Sequence, residues 1–310
     1  MHDEHLIGID CFGGRCSVAL TDGEAAPLRA IEAAVYLLEC HRRLSRFLPD
    51  SELSLLNADP RGTVPVSALM ADFLLAVRRA GERSGGLVDA TVLPALRDAG
   101  YAASLPDRDP GLLAPGEAAG VAGAAHPDAR WQQIEVDLEA RTLTRPPGLE
   151  IDSGGVAKGW AADRAARLLG GAPTYAVACS GDISVGGASG AVRSISVADP
   201  FGGEALAELA IASGGVATSG IGRRRWRNAD GTIGHHLIDP ATGEPCFSGV
   251  VQATALAPSA EEAEVRAKAA VLSGPEAAGE WLSGGGVIVL GDGSAVEIAP
   301  ERDEAPAVAA

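Results

Sequence analysis

Nowhere in this chain do about eighteen apolar residues run together, so no helix is expected to span a membrane. The first residues, MHDEHLIGID, lack the basic-then-apolar layout of a secretion signal, which gives the cytoplasm as the expected location. Five cysteines (Cys11, Cys16, Cys40, Cys179 and Cys246) are too scattered for a zinc ribbon and odd in number for a disulfide framework. They are expected to be buried, idle thiols. Positive charge is short as well: a net charge of −16 excludes the basic footprint that a nucleic-acid surface needs. The chain has no P-loop, no Rossmann GxGxxG, no internal repeat and no low-complexity linker.

What is present is the composition of a globular protein, with 46% hydrophobic and 21% charged residues. At 310 residues it could form one large domain or two small ones. Residues 6–20 read as one or two strands broken at Gly13-Gly14. Helices are expected over about 28–46, with Ala30, Ala34, Leu37, Leu38 and His41 near one face, and over 66–83. Ser51 or Asp50 can cap a short helix carrying Glu52. Residues 97–130 form a poorly patterned excursion, on the surface or as a lid, and 131–145 alternate as a hairpin. Strands are expected at 174–187, 192–198, 205–212, 214–218, 250–258 and 287–290. Ser259 and Glu262 have capping-box spacing for a helix to about Ser273. Strands clustered without βαβ alternation predict an α+β fold with a largely antiparallel sheet. No linker splits it, so residues 1–299 read as one domain, followed by an acidic Pro/Ala-rich tail at 300–310.

The stretch with most chemistry is IDSGGVAKGWAADRAARLL, residues 151–169. Asp152 precedes Ser153-Gly154-Gly155, and a helical pattern carrying Lys158 follows. Ala157, Ala161, Ala165, Leu168 and Leu169 share one apolar stripe, while Asp163 and Arg167 are spaced to pair. Paired glycines let a ligand approach the backbone, and first-turn amides attract anions. The stretch therefore reads either as a phosphate-binding helix start beside a carboxylate or as an ordinary turn. Further on, GRRRWR gathers Arg223, Arg224, Arg225 and Arg227 around Trp226, suiting an anionic ligand, a partner or a solvated face.

SRFLPDSELSLLN, SGGLVDATV, IDSGGVAKGWAAD, SGD, ATSG, HHLIDPATGEP and AEVRAKAAVLSG occur in one order across about residues 8–290. In these motifs the chain resembles the ApbE family, the FAD:protein FMN transferases. The resemblance implies a single T-fold-related α+β domain with FAD in a deep cleft. Its members move the FMN half of FAD onto a threonine or serine of a target flavoprotein and release AMP, usually helped by magnesium. On this resemblance His236 is the general base or nucleophile orienter, with Asp239 orienting it. Lys158 and the amides from Gly154 to Gly159 would hold the FAD phosphates. Asp152 and Asp182 would be flavin or ribityl contacts, or supports behind them. Glu52, Asn57, Asp89 and Thr91 match flavin- and adenosine-side positions, Thr218 and Ser219 lie in the ATSG piece, and Phe12 would stack on adenine.

The chain departs from the family at the metal. Relatives carry an Asp and a Thr four residues apart as magnesium ligands; here those positions are Glu264 and Lys268. With Gly155, Glu264 could still ligate a cation, whereas an ammonium has donors only. Lys268 is therefore expected to replace part of the magnesium's charge and touch the pyrophosphate, or else to form a merely structural ion pair with Glu264. The arginines after TSG are a second departure, suited to a phosphate clamp or to an acidic target protein. Two other functions fit the same residues: a binder that stores FAD, and a pyrophosphatase in which water replaces the acceptor hydroxyl.

Overall fold

Phe12 and Gly13 both have positive φ (54° and 73°), which turns the chain back sharply. The flanking runs pair as an antiparallel hairpin, β1 (His5–Cys11) and β2 (Gly14–Thr21). The computed structural model describes residues 4–104, 116 and 120–301. Helix α1 (Ala26–Leu44) carries Pro27 in its first turn, where a missing N–H costs little, and buries Ala30, Ala34, Leu37 and Leu44. Leu38 faces solvent, because it lies about a hundred degrees round the helix from Leu37. Ser51 caps α2 (Glu52–Ala58) by accepting from Ser54 N at 3.0 Å, and Ser67 caps α3 (Ala68–Arg83) by accepting from Met70 N at 3.1 Å. Between them, β3 (Thr63–Pro65) joins the later hairpin of β4 (Glu135–Asp137) and β5 (Thr142–Thr144) in a small sheet. A short helix, α4 (Leu93–Asp98), precedes the excursion.

Beyond it run α5 (Ala157–Arg167), β6 (Thr174–Cys179), β7 (Asp182–Gly186), β8 (Arg193–Val197), β9 (Ala207–Ile211) and β10 (Gly214–Gly220). Then come β11 (Arg225–Arg227), β12 (Ile233–His235), β13 (Val250–Ala257), α6 (Ala260–Ser273), β14 (Gly286–Leu290) and β15 (Ala295–Ile298). The main sheet has the order β1-β2-β6-β7-β10-β13-β14-β15, with every neighbouring pair antiparallel. Its two faces are sorted by the two-residue side-chain period. Val216 and Leu256 join the cluster under the β8–β9 ribbon, whereas Ala217 and Ala257 pack against Ala263 of α6. Helices α1, α3, α5 and α6 share the other face, around a core that includes Leu37, Phe73 and Trp160.

All five cysteines are buried and free. Three of them converge, however: Cys16 lies opposite Cys179 in the β2–β6 register, and its thiol donates to the Cys11 carbonyl at 3.4 Å. Among the described residues no helix is long and apolar enough to cross a membrane. The acidic tail from residue 302 and, within the expected surface excursion or lid, residues 105–115 and 117–119 lie outside the described residues. The far end of that excursion is anchored, with Gly123 N donating to Leu272 O at 2.8 Å and Ala124 N to Asp239 Oδ1 at 2.8 Å.

Candidate active site

Helices α5 and α6 are locked together at their N-terminal ends. Asp163 accepts from Ala260 N at 3.0 Å and Glu261 N at 2.9 Å, the unpaired first-turn amides of α6. It is thus a cap for the neighbouring helix and not the expected partner of Arg167. Gly159 makes the approach possible: a Cβ there would lie 2.3 Å from the Ala260 carbonyl. On the α5 stripe Ala157, Ala161, Ala165 and Leu169 are buried as expected, but Leu168 is exposed just past the last helical turn.

This docking brings four charges into one buried cluster. Lys158 pairs with Asp182 and lies 3.2 Å from Glu264 Oε1. The other Glu264 oxygen accepts from Gly159 N at 2.9 Å. Lys268, one helical turn beyond Glu264, donates to the Gly155 carbonyl at 2.7 Å and lies 3.7 Å from Glu264 Oε1. Burial pushes the Lys158 ammonium down, but the charges of Asp182 and Glu264 outweigh it and hold the group above the usual lysine range. For Lys268 burial wins over Glu264, and its pKa falls.

The cluster borders a cavity of about 430 Å³. Lys158, Lys268, Asp152, Gly154 and Gly155 line it together with His236, Arg224, Phe12 and Asp89. Near Asp152 the wall is aromatic. Arg46 is nearly buried, lies 3.1 Å from Asp152 Oδ1, and sits over the rings of Phe47 (4.2 Å) and Tyr101 (4.5 Å). The second Asp152 oxygen accepts from Gly154 N at 2.9 Å. Burial and the positive charges of Arg224, Lys268 and Lys158 depress the His236 pKa well below 6.5, so the ring is neutral at pH 7. Its Nδ1 is buried with no hydrogen-bond partner, as is Oδ2 of Asp89. Neither buried atom has its hydrogen-bonding capacity met within the protein.

The adjacent His235 is fully buried, meets Phe247 edge-on at 4.5 Å and accepts from Leu237 N through Nδ1 at 3.2 Å. It supports the turn.

Several expected site residues stand elsewhere. Asp239 does not orient His236: Oδ1 accepts from Ala124 N and Ala241 N, and Oδ2 from the Thr242 hydroxyl. Its carboxylate closes the DPATG turn and ties down the end of the excursion. Glu52 accepts from Ser67 N and Oγ, both at 2.7 Å, and from Arg43, so it joins α2 to α3 outside the cavity wall. Asn57 clamps Ile151 through N–H···O bonds at 2.8 and 2.9 Å, holding the backbone that leads into Asp152. Thr91 is buried behind Asp89, to whose Oδ1 its amide donates at 2.8 Å. Asp182 serves Lys158 and is not in the wall. Thr218 bonds Thr254 across β10–β13, and neither it nor Ser219 lines the cavity.

Sequence reasoning missed Arg46, Phe47, Tyr101 and His41 as wall residues. His41 accepts from Phe12 N at 3.2 Å and meets its ring edge-on. Arg46 and Phe47 were visible as the RF of SRFLPD, just past the α1 terminus; nothing local pointed to Tyr101. Of the arginine cluster, only Arg224 reaches the cavity, where it donates to Phe12 O at 3.1 Å. Arg225 is buried, and Arg223 and Arg227 are exposed.

The oxygens do not fit a magnesium ion. A ligand distance of about 2.1 Å from Gly155 O would put the ion within about 5 Å of Lys268 Nζ, a repulsion between the dication and the ammonium of roughly 7 kcal/mol at an effective dielectric of 20. Glu264, the other candidate ligand, is already flanked by two ammonium groups. Among the described residues no group of three or more His, Cys, Asp or Glu is arranged to hold a metal.

An antiparallel sheet backed by helices, with a half-aromatic, half-cationic cleft at one helix junction, defines an α+β protein suited to an anionic ligand with a planar part. The ApbE family model matches residues 12–290, and the chain belongs to that family. It is 30% identical over 281 residues to the FAD:protein FMN transferase of Klebsiella pneumoniae (strain 342), spanning 88% of this chain and 78% of that protein. To the FAD:protein FMN transferase of Escherichia coli (strain K12) it is 30% identical over 261 residues, 79% and 71% of the two chains. In fold it is similar to the crystal structure of the ApbE protein from Thermotoga maritima, with a TM-score of 0.77 at 23% identity over 96% of this chain and 97% of that one.

Proposed function

We propose that this protein is an FAD:protein FMN transferase, moving FMN from FAD to a threonine or serine hydroxyl of a target flavoprotein. The observation that carries this is a neutral, unpartnered imidazole, His236, in the same cavity wall as two buried cationic side chains, Lys268 and Arg46, and Arg224. The aromatic and apolar wall of Phe47, Tyr101 and Ile238 suits a flavin ring, with Phe12 left for the adenine side. The orphaned Asp89 oxygen supplies an acceptor or, because burial raises its pKa, a protonated donor.

In the reaction the acceptor hydroxyl oxygen attacks the phosphorus on the FMN side of the diphosphate. A new oxygen–phosphorus bond forms as the bond from that phosphorus to the bridging oxygen breaks. The hydroxyl proton passes to His236, and AMP leaves with the bridging oxygen. Little covalent chemistry is asked of the protein beyond positioning, charge neutralisation and a base.

The test incubates the protein with FAD and a flavin-acceptor domain bearing the target threonine, with and without added magnesium. Covalent flavin fluorescence on the acceptor and an equal amount of AMP are expected. Free FMN and AMP with an unlabelled acceptor would make it a pyrophosphatase; intact FAD would make it a binder.

A further inference from the structure

Transfer from FAD needs positive charge at the diphosphate, and the cluster geometry separates the cations that can supply it from those that cannot. Lys158 sits between Asp182 and Glu264, so its charge is already matched inside the fold. Arg46 is held by Asp152 and the Tyr101 carbonyl. Lys268 differs. It donates one hydrogen bond, to the neutral Gly155 carbonyl, and its nearest carboxylate oxygen is 3.7 Å away. Three donors on an ammonium leave two for a ligand. Gly155 leaves room for it, since even a Cβ at that position would press on Nζ at 3.3 Å.

Charge decides against adding a divalent ion. Lys158 and Lys268 balance Asp182 and Glu264, so the buried cluster is neutral as it stands. A dication would make it strongly positive. With Lys268 removed, the cluster would instead be negative, the Gly155 carbonyl would be freed, and Glu264 Oε1 would be left with Lys158 alone.

We propose that Lys268 takes the place of the divalent cation in this chain: its ammonium, seated on the Gly155 carbonyl, neutralises the FAD diphosphate directly, and FAD is bound and cleaved without magnesium. The proposal rests on the flavin-transfer reading for its ligand, but not for its geometry.

The experiment has two arms. In the first, FAD affinity is measured by flavin fluorescence in EDTA and in magnesium for the wild type, Lys268→Thr and Lys268→Arg. Wild type and Lys268→Arg should bind equally well in both. Lys268→Thr should lose about ten- to a hundredfold in EDTA, the worth of a charge-assisted hydrogen bond, and recover with magnesium. In the second arm Mn2+ binding is counted by electron paramagnetic resonance without FAD, and Lys268→Thr should gain one site over the wild type.

Wild-type FAD affinity that rises about tenfold or more with magnesium, a change of roughly 1.4 kcal/mol, would overturn the proposal. A threonine variant with a native circular dichroism spectrum and no added Mn2+ site would overturn it too. If neither protein binds or splits FAD, the flavin-transfer reading fails, and the Mn2+ count alone decides on Lys268. Should the threonine variant not fold, the wild-type and arginine arms decide.

Discussion

The carboxylate of Asp163 holds the free amide of Ala260 at 3.0 Å across the α5–α6 junction, and the whole charged cluster depends on that contact. Lys158 and Gly155 sit at the start of α5; Glu264 and Lys268 follow in the second and third turns of α6. Asp163→Ala removes a helix cap supplied from a neighbouring helix and should cost about 1–2 kcal/mol in urea unfolding. Gly159→Ala should cost more, because the Cβ would press on backbone that has no room to yield. Both should weaken FAD binding although neither residue lines the cavity. Full stability in Asp163→Ala would mean that the junction is held by something else.

His236 gives a kinetic prediction with a sign. Its pKa is depressed by burial first and by Arg224 and the two lysines after that. The ring therefore accepts a proton across the neutral range, and the acid limb of kcat/KM should fall below pH 6.5. Arg224→Gln removes one positive neighbour and should move that limb upward. Replacing the ring, as in His236→Ala, should lower kcat by about a hundredfold or more while FAD affinity changes little. A variant that loses FAD binding and turnover together would make His236 a binding group instead of the base.

Much of the fold was legible because its signals are local. Ser51 and Ser259 cap the helices they precede, and the expected strands pair antiparallel, most of them in the main sheet and the 131–145 hairpin in the small one. The 150s turn, His236 and Lys268 do line one cavity. What failed were inferences about partners distant in sequence. Asp163 looked paired with Arg167 because four residues apart is one helical face, yet the free amides of another helix hold it. Asp239 is near His236 in sequence, but Ala241 N and the Thr242 hydroxyl of its own turn, with Ala124 N, occupy its oxygens. Glu52 and Asn57 carry donors and acceptors that close backbone gaps, and nothing in their spelling distinguishes that from ligand contact. Tyr101 enters the wall through contacts with residues distant in sequence: Arg46, just past the end of α1, donates to its carbonyl at 2.8 Å, and its ring stacks on Trp226.

Lys158 should behave as a structural group and not as a phosphate holder. Lys158→Met leaves Asp182 and Glu264 buried and facing each other with one cation fewer. Breaking such a buried pair should cost about 3–5 kcal/mol. The double variant Lys158→Met/Asp182→Leu removes both charges and should regain most of the loss. Urea denaturation of the two variants decides between the roles. A single variant with near-native stability and a large loss of FAD affinity would return Lys158 to the phosphate.

Acid stability should depend on His235. Burial, with help from the Arg225 charge, holds its pKa at about 3, against about 6.5 in an unfolded chain. The unfolded state therefore takes up the proton first. The stability the neutral ring contributes is complete above pH 6.5 and is lost as pH falls from there towards 3, at about 1.4 kcal/mol per unit. His236 is depressed in the same direction and adds to the slope, so the comparison must be made by substitution. His235→Gln should be less stable than wild type at pH 8, since it disturbs the packing on Phe247, yet its stability should fall less steeply between pH 6.5 and 5. Urea midpoints across that window give the answer, and a slope identical to that of the wild type would show that His235 is not the group being protonated.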